Sequence, residues 1–395
     1  MLAGLIKDGA VDRTSPVVPM AFADKDFYMN GAIHRSAIFG TACLLAALCG
    51  PVFAADAQGT EAGAPAAAEA PAARSPWLVM PTFSTNPKLG TAFGGMAAYV
   101  TKFDAESQAS LFALSGQYTD TDSAILALVG RTSFGADHHR ISAYIIAGKI
   151  KNDYDDFLGT GVPLKSEDDI RAALTRYLYR FKGDWFVGGQ FVITNYQMVG
   201  QSDLDDDILD GLGLTGFKSG GVGMAIYHDS RDVQDKPSRG WMLNANNVVY
   251  REAIAGSNDF EVYRLDYRSF WSHGDGNVIG VRQTNQWTVD APSSANAPVR
   301  LRGYTGGEYL GENMSSLEVE ERYRLAKRWT ATVFGGVACL YGAGITCGDS
   351  DNLFASIGAG AQFVLNQQAG LVANLEYAHA RDGNDAVMFK MGYEW

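Results

Sequence analysis

Apolar and polar residues alternate with a period of two through most of residues 76–395, and no apolar run there approaches the ~18 residues of a membrane-spanning helix. The segment VMFKMGYEW points Phe389, Met391, Tyr393 and Trp395 one way and Met388, Lys390, Gly392 and Glu394 the other. In GLVANLEYAH, Leu371, Ala373, Leu375 and Tyr377 alternate with Val372, Asn374 and Glu376. Each such ribbon has one face suited to hydrocarbon and one suited to water. Division at Gly, Asp, Asn and Pro clusters gives about 16 ribbons, beginning PWLVMPTFS, TAFGGMAAYV, SLFALSGQY and AILALVGRTSF.

The connections fall into two sets. DAESQ, ADHH, KGD, HGDGN, AKR and NQQA are short, with DVQDKPSR the exception among them. The other set holds NDYDDFLGTGVPLKSED, QSDLDDDILDGLGLTGFKS, the glycine-rich APVRLRGYTGGEYLGEN and AGITCGDSDN. Short turns at one end, long loops at the other and an even strand count predict an all-β fold, a transmembrane antiparallel β-barrel of the outer-membrane type. A sheet with one apolar face cannot leave edge N–H and C=O groups in lipid at several kcal/mol each, so it must close on itself. A soluble pair of stacked sheets would turn its polar faces outward and carry long loops at both ends, and the chain lacks the long returns of a Greek key.

The N-terminal part reads differently. MNGAIHRSAIFGTACLLAALCGPVFAADA, from Met29, has a basic start, an apolar stretch of about 14 residues and small residues before a cleavage point after Ala54. Residues 29–54 are therefore expected to be a secretory signal peptide, 55–75 an Ala/Pro-rich flexible tether, and 76–395 the barrel. Residues 1–28 contain Asp8, Asp12, Asp24 and Asp26, a poor composition for a signal start. Met29 is the expected true start, with no fold before it.

The chain carries 32 basic and 44 acidic residues, and because the first 54 residues hold four of each, the mature part keeps the net charge of −12. That balance argues against nucleic acid as a partner. Cys43 and Cys49 leave with the signal, and the spacing of Cys339 and Cys347 admits a local disulfide in an oxidising compartment. These two cysteines lack companions at the spacing of a metal site.

Two stretches carry a more specific resemblance. GGVGMAIYHDSRDVQDKPSRGWML, with Asp229, Arg231 and Asp232 at a strand end and Pro237, Arg239 and Gly240 at the re-entry, resembles the Asp-x-Arg-Asp and Pro-x-Arg-Gly pattern of the BamA/TamA-type superfamily, or bacterial surface antigen family. VRLRGY, ending in Arg302, Gly303 and Tyr304, resembles that family's Val/Leu-Arg-Gly-Phe/Tyr signature on the loop between strands 11 and 12 of a 16-stranded barrel. The aromatic end, with Phe389, Tyr393 and Trp395, is similar to the C-terminal strand of many bacterial outer-membrane proteins.

The resemblance implies that the loop folds into the lumen and that its arginine meets the inner wall. Strand parity puts Glu318, Glu320, Arg322 and Arg324 on one face of SSLEVEERYRL, opposite Leu317, Val319, Tyr323 and Leu325. Glu320 matches the family's Glu-x-Arg and is the expected carboxylate partner of Arg302; Phe334, on the inner parity of the next strand, is the expected stacking partner. Where related barrels have Phe-x-Asp-x-Gly, this chain reads Phe334, Gly335, Gly336, Val337, Ala338. The missing aspartate is expected to weaken the anchor. Glu321 is a second difficulty, since its parity points a carboxylate at lipid.

Catalytic chemistry finds little support. His228, Asp229 and Ser230 are adjacent on a strand, so they point alternately in and out and cannot form one relay. His138 and His139 fall in a short turn where solvated histidines are the default, and the Asp205, Asp206, Asp207 run lacks the spacing of a calcium loop. No enzyme activity, cofactor or metal is expected. Members of the resembled family usually carry POTRA modules of about 75 residues, for which the tether is too short. The resemblance implies outer-membrane assembly or transport of protein or lipid; a passive or structural pore is the alternative. Expected partners are outer-membrane lipid and lipopolysaccharide, the barrel-assembly machinery for the chain's own insertion, and a protein or lipid client, with a homodimer left open.

Overall fold

The computed structural model describes residues 76–391 apart from 87–89, 155–163, 201, 203, 205–215, 234–235, 293–294, 305–308, 367–370 and 382–384. Its strands are β1 (Trp77–Asn86), β2 (Gly90–Thr101), β3 (Ser110–Thr119), β4 (Ala124–Phe134), β5 (His139–Tyr154) and β6 (Leu164–Lys182). There follow β7 (Trp185–Gly200), β8 (Gly216–Asp229), β9 (Gly240–Tyr250), β10 (Phe260–His273) and β11 (Asn277–Val289). Two short strands, β12 (Ala297–Pro298) and β13 (Leu310–Gly311), precede β14 (Asn313–Arg324), β15 (Trp329–Tyr341), β16 (Leu353–Asn366), β17 (Leu371–Ala380) and β18 (Asp385–Met391).

Sixteen strands form one antiparallel sheet in chain order, with β11 pairing directly to β14, while β12 and β13 make a separate ribbon within the intervening connection. The first and last strands lie alongside each other with Cα atoms within 8 Å. No ladder joins β1 to β18 among the described residues.

Packing is inside out relative to a soluble protein. On β17, Leu375 and Tyr377 are 51% and 48% exposed, whereas Asn374 and Glu376 are 1% and 2% exposed. On β14, Leu317, Val319 and Tyr323 are exposed and Ser316, Glu318, Glu320 and Arg322 are buried. Arg324 shares their parity but lies at the strand end and is exposed. An apolar outer face and a polar inner face follow from a period of two when the outer solvent is hydrocarbon. Several inner polar groups pair with one another: Arg176 donates to Gln190 Oε1 at 2.9 and 2.7 Å, and Asp266 sits between Arg268 at 2.9 Å and Arg282 at 2.8 Å.

Outward aromatic and histidine rings gather at the short-turn end. His228 stacks on Trp241 with centroids 3.7 Å apart, Trp241 lies 5.9 Å from Trp185 and 6.0 Å from Tyr267, Phe134 stacks on His139 at 5.1 Å, and Trp329 lies 4.6 Å from Phe363. Such rings suit the level where hydrocarbon meets water. Glu321 belongs to this belt, with its Oε1 2.7 Å from His273 Nε2. A histidine one strand pair away gives the outward carboxylate its partner at the rim, which answers the difficulty raised by its parity.

At the opposite end Cys339, late in β15, is bonded to Cys347 in the β15–β16 connection, with Cα atoms 5.6 Å apart. Outward positions between the two ends should tolerate no charge. Met224, 65% exposed on β8, is such a position. Met224→Arg should cost about 2–4 kcal/mol in unfolding from lipid, and Met224→Leu should cost little, as read from denaturant titrations in liposomes.

Candidate functional site

The inner wall across β14–β17 is built to receive another segment. In register, Glu320 pairs with Phe334, Phe334 with Gly358, and Gly336 with both Glu318 and Ser356. A side-chain carbon on Gly358 would overlap the Phe334 ring, so glycine lets that ring lie flat along the wall. At Gly336 the same carbon would come within 2.8 Å of Leu301 Cδ2. The bare wall is thus filled by Phe334 and by the connection between β11 and β14.

That connection enters as a finger. β12 and β13 pair Ala297 with Gly311 and Pro298 with Leu310, and Val299 N donates to Tyr309 O at 3.1 Å. Ala297, Val299 and Leu301 alternate onto one face and pack with Met314, Ala338, Leu340 and Phe354. This is a small apolar core inside an otherwise polar bore. Arg300, on the other face, donates to Gln286 Oε1 at 2.9 Å. The finger then turns: Tyr304 N donates to Leu301 O at 3.3 Å, with Gly303 at φ 100°. A type II turn places a positive φ at its third residue, which glycine adopts without strain.

The turn delivers Arg302 to the wall. Its Nη1 lies 2.6 Å from Glu320 Oε2 and 3.3 Å from Glu376 Oε1, its Nε donates to Glu318 Oε1 at 3.1 Å, and its Cζ sits 3.4 Å from the Phe334 ring centroid. The planar guanidinium can serve carboxylates at its edge and an aromatic ring at its face simultaneously, which an ammonium cannot. The Arg302 side chain is only 10% exposed, and Glu320 and Glu376 are 2% exposed. Burial of that many charges is tolerable because each has a partner. Tyr304 fixes the finger's far side, its hydroxyl donating to Ala355 O at 2.8 Å and accepting from Arg381 N at 3.2 Å.

Glu376 and Glu318 were not assigned to Arg302 from the sequence. The alternation in GLVANLEYAH marks Glu376 as inward, but nothing in a single chain says that β17 curls round to face the finger. Gly336 stands where the absent aspartate would be, and Glu318 on β14 and Glu376 on β17 join Glu320 in supplying carboxylates to Arg302.

The second motif lies at the short-turn end, between β8 and β9. Tyr227 Oη and the Arg231 fork both bind Asp229, the latter at 2.8 and 2.9 Å, and neither the Asp229 nor the Arg231 side chain is more than 3% exposed. Asp232 Oδ1 accepts from Val233 N and Ser238 N at 2.9 Å and from Arg239 N at 3.2 Å. Burial pushes the Asp232 carboxyl up, and the hydrogen bond from the Ser238 hydroxyl together with these backbone amides outweighs it, holding its pKa below the ordinary carboxylate value. Gly240, at φ 96°, is required because a side-chain carbon would overlap the Ser230 carbonyl. Arg239 donates to Ser272 Oγ at 2.8 Å, and Pro237 O accepts from Arg322 Nη1 at 3.2 Å.

Other sequence candidates sit apart from this site. His228 is in the outer belt, His138 Nδ1 lies 2.9 Å from Gly135 O, and His139 Nδ1 lies 2.8 Å from Tyr177 Oη. No group of three or more His, Cys, Asp or Glu side chains is arranged for a metal among the described residues. Phe389 is half-buried on β18, while Tyr393, Trp395 and Asp205–Asp207 lie outside the described residues.

No family model matches the chain, and no curated protein matches it in sequence. Among solved structures it is similar to BamA from Haemophilus ducreyi lacking POTRA domains 1-3, at a TM-score of 0.52 and 13% identity over 80% of this chain and 70% of that one. It is also similar to CdiB from Acinetobacter baumannii, at a TM-score of 0.59 and 11% identity over 82% of this chain and 61% of that one. CdiB from Escherichia coli gives a TM-score of 0.59 and 12% identity over 84% of this chain and 66% of that one. The chain therefore spans roughly two thirds of the length of the proteins it matches. At such identities the likeness concerns architecture. In fold, this chain is an antiparallel β-barrel similar to those of BamA and CdiB.

Proposed function

We propose that this chain is an outer-membrane barrel that acts, without enzymatic chemistry, in assembly of that membrane or in transport of protein or lipid across it. The observation that carries the reading is the buried Arg302 finger, held by Glu318, Glu320, Glu376 and Phe334 in the bore of a barrel with a BamA- and CdiB-like fold. The first and last strands, β1 and β18, lie side by side at the seam of the wall, which is where it would part toward lipid or a client. The surroundings are outer-membrane lipid and lipopolysaccharide, with insertion of the chain itself by the barrel-assembly machinery. A passive pore is the second reading, favoured by the polar bore around Arg176, Gln190 and Asp266.

Two measurements separate these readings. Cysteines placed across β1 and β18 and oxidised in liposomes should abolish assisted insertion of a test barrel while leaving ion conductance near its starting level. Insertion retained after full crosslinking would leave the pore. Arg302→Ala should release the finger, costing about 3–5 kcal/mol of docking because buried carboxylates lose their cation, and Arg302→Lys should recover only part of it. Limited proteolysis within residues 290–312 and heat-modifiable gel migration read the two effects: cleavage should rise while the barrel stays folded.

A further inference from the structure

The finger and the motif connection at residues 230–239 enter from opposite ends of the barrel, since the finger leads from the end of β11 into the start of β14 and the other links β8 to β9. They meet through two side chains on one strand. Glu320, eighth of the twelve residues of β14, uses both carboxylate oxygens: Oε2 takes Arg302 Nη1 and Oε1 takes Arg322 Nε, each at 2.6 Å. Arg322 in turn donates Nη1 to Pro237 O at 3.2 Å, and its Cζ lies 5.5 Å from the Phe270 ring centroid. Arg322 is 6% exposed and Glu320 2%. An unbroken polar chain thus runs from the Asp232-capped connection, through Pro237, Arg322 and Glu320, to the guanidinium of the finger.

We infer that this chain makes the two loops a single coupled device, in which loosening of the connection at one mouth weakens docking of the finger reached from the other. The physical reason is that Arg322 has a fixed inventory of donors. When Pro237 O withdraws, the freed Nη1 must find another acceptor in the bore, and the nearest carboxylate is the one that holds Arg302. Coupling of this kind is reciprocal: undocking Arg302 must loosen the mouth connection by the same factor. The motif connection therefore serves as the lever of the finger, and both sequence signatures have one use. The inference does not depend on whether the barrel transports, assembles or only conducts.

The test is hydrogen exchange of the full chain in liposomes, read on amides that report each loop: Val233, Ser238 and Arg239 for the mouth, Val299 and Tyr304 for the finger. Asp232→Ala, which removes the cap on the mouth connection, should raise finger exchange about tenfold, and Arg302→Ala should raise mouth exchange by a similar factor. In an Arg322→Met background Asp232→Ala should change the finger less than twofold. If that variant does not fold, Arg322→Lys, which keeps the charge and loses the fork, serves the same comparison. Asp104→Ala is the control, because Asp104 caps a different turn at the same end, accepting from Ser107 N at 2.7 Å. Finger exchange unchanged by Asp232→Ala, or raised equally by Asp104→Ala, would overturn the coupling.

Discussion

Hydrocarbon offers a backbone amide no partner, so a sheet with an outward apolar face like this one is favoured in lipid only where its N–H and C=O groups bond to neighbouring strands. The sheet of sixteen strands in chain order is the solution to that constraint, and the rest of the molecule follows from it. Once apolar side chains are sent outward, the polar ones are left to fill the interior. The bore then takes the part that an oily core plays in a soluble domain, but it must be filled by matched charges and hydrogen bonds. Arg176 with Gln190 and Asp266 with Arg268 and Arg282 are such matches.

The finger extends this logic with a loop. Ala297, Val299 and Leu301 bring their own apolar patch to the wall, and Arg302 brings a charge to a wall carrying Glu318, Glu320 and Glu376. Without Arg302 or Arg322, three carboxylates would stand buried in a confined space. Removal of one member of such a set leaves an uncompensated charge, which is why the arrangement behaves as a unit rather than as separate pairs. Leu301 occupies the space that an aspartate at Gly336 would need, so the departure from the resembled pattern is consistent with the packing.

How much of this is legible without coordinates depends on the length scale. Period two fixes which face each strand residue takes, and it does so for Leu375 and Glu376 as well as for Leu317 and Glu320. Turn chemistry and loop length give the strand order, because antiparallel neighbours joined by short turns leave little choice. What a single sequence does not contain is the curvature that brings β17 opposite the finger. For this reason Glu376 appears as one more inward carboxylate, with no sign that it meets Arg302. Glu321 shows the same limit from outside: parity sends it toward lipid, and only the adjacency of β10, β11 and β14 reveals His273 beside it.

Gly336 and Gly358 leave part of the β15–β16 flank one polypeptide layer thick, furnished by Leu301 and the Phe334 ring instead of by side chains of its own. Its stiffness is therefore borrowed. With the finger withdrawn, half of that upholstery departs while the nearby wall of β10 and β11, lined by Arg268, Arg282 and Gln286, keeps its own side chains. Any passage created in this way would run off-centre along β15 and β16, and whatever slid through it would feel carboxylates on one side and bare peptide on the other.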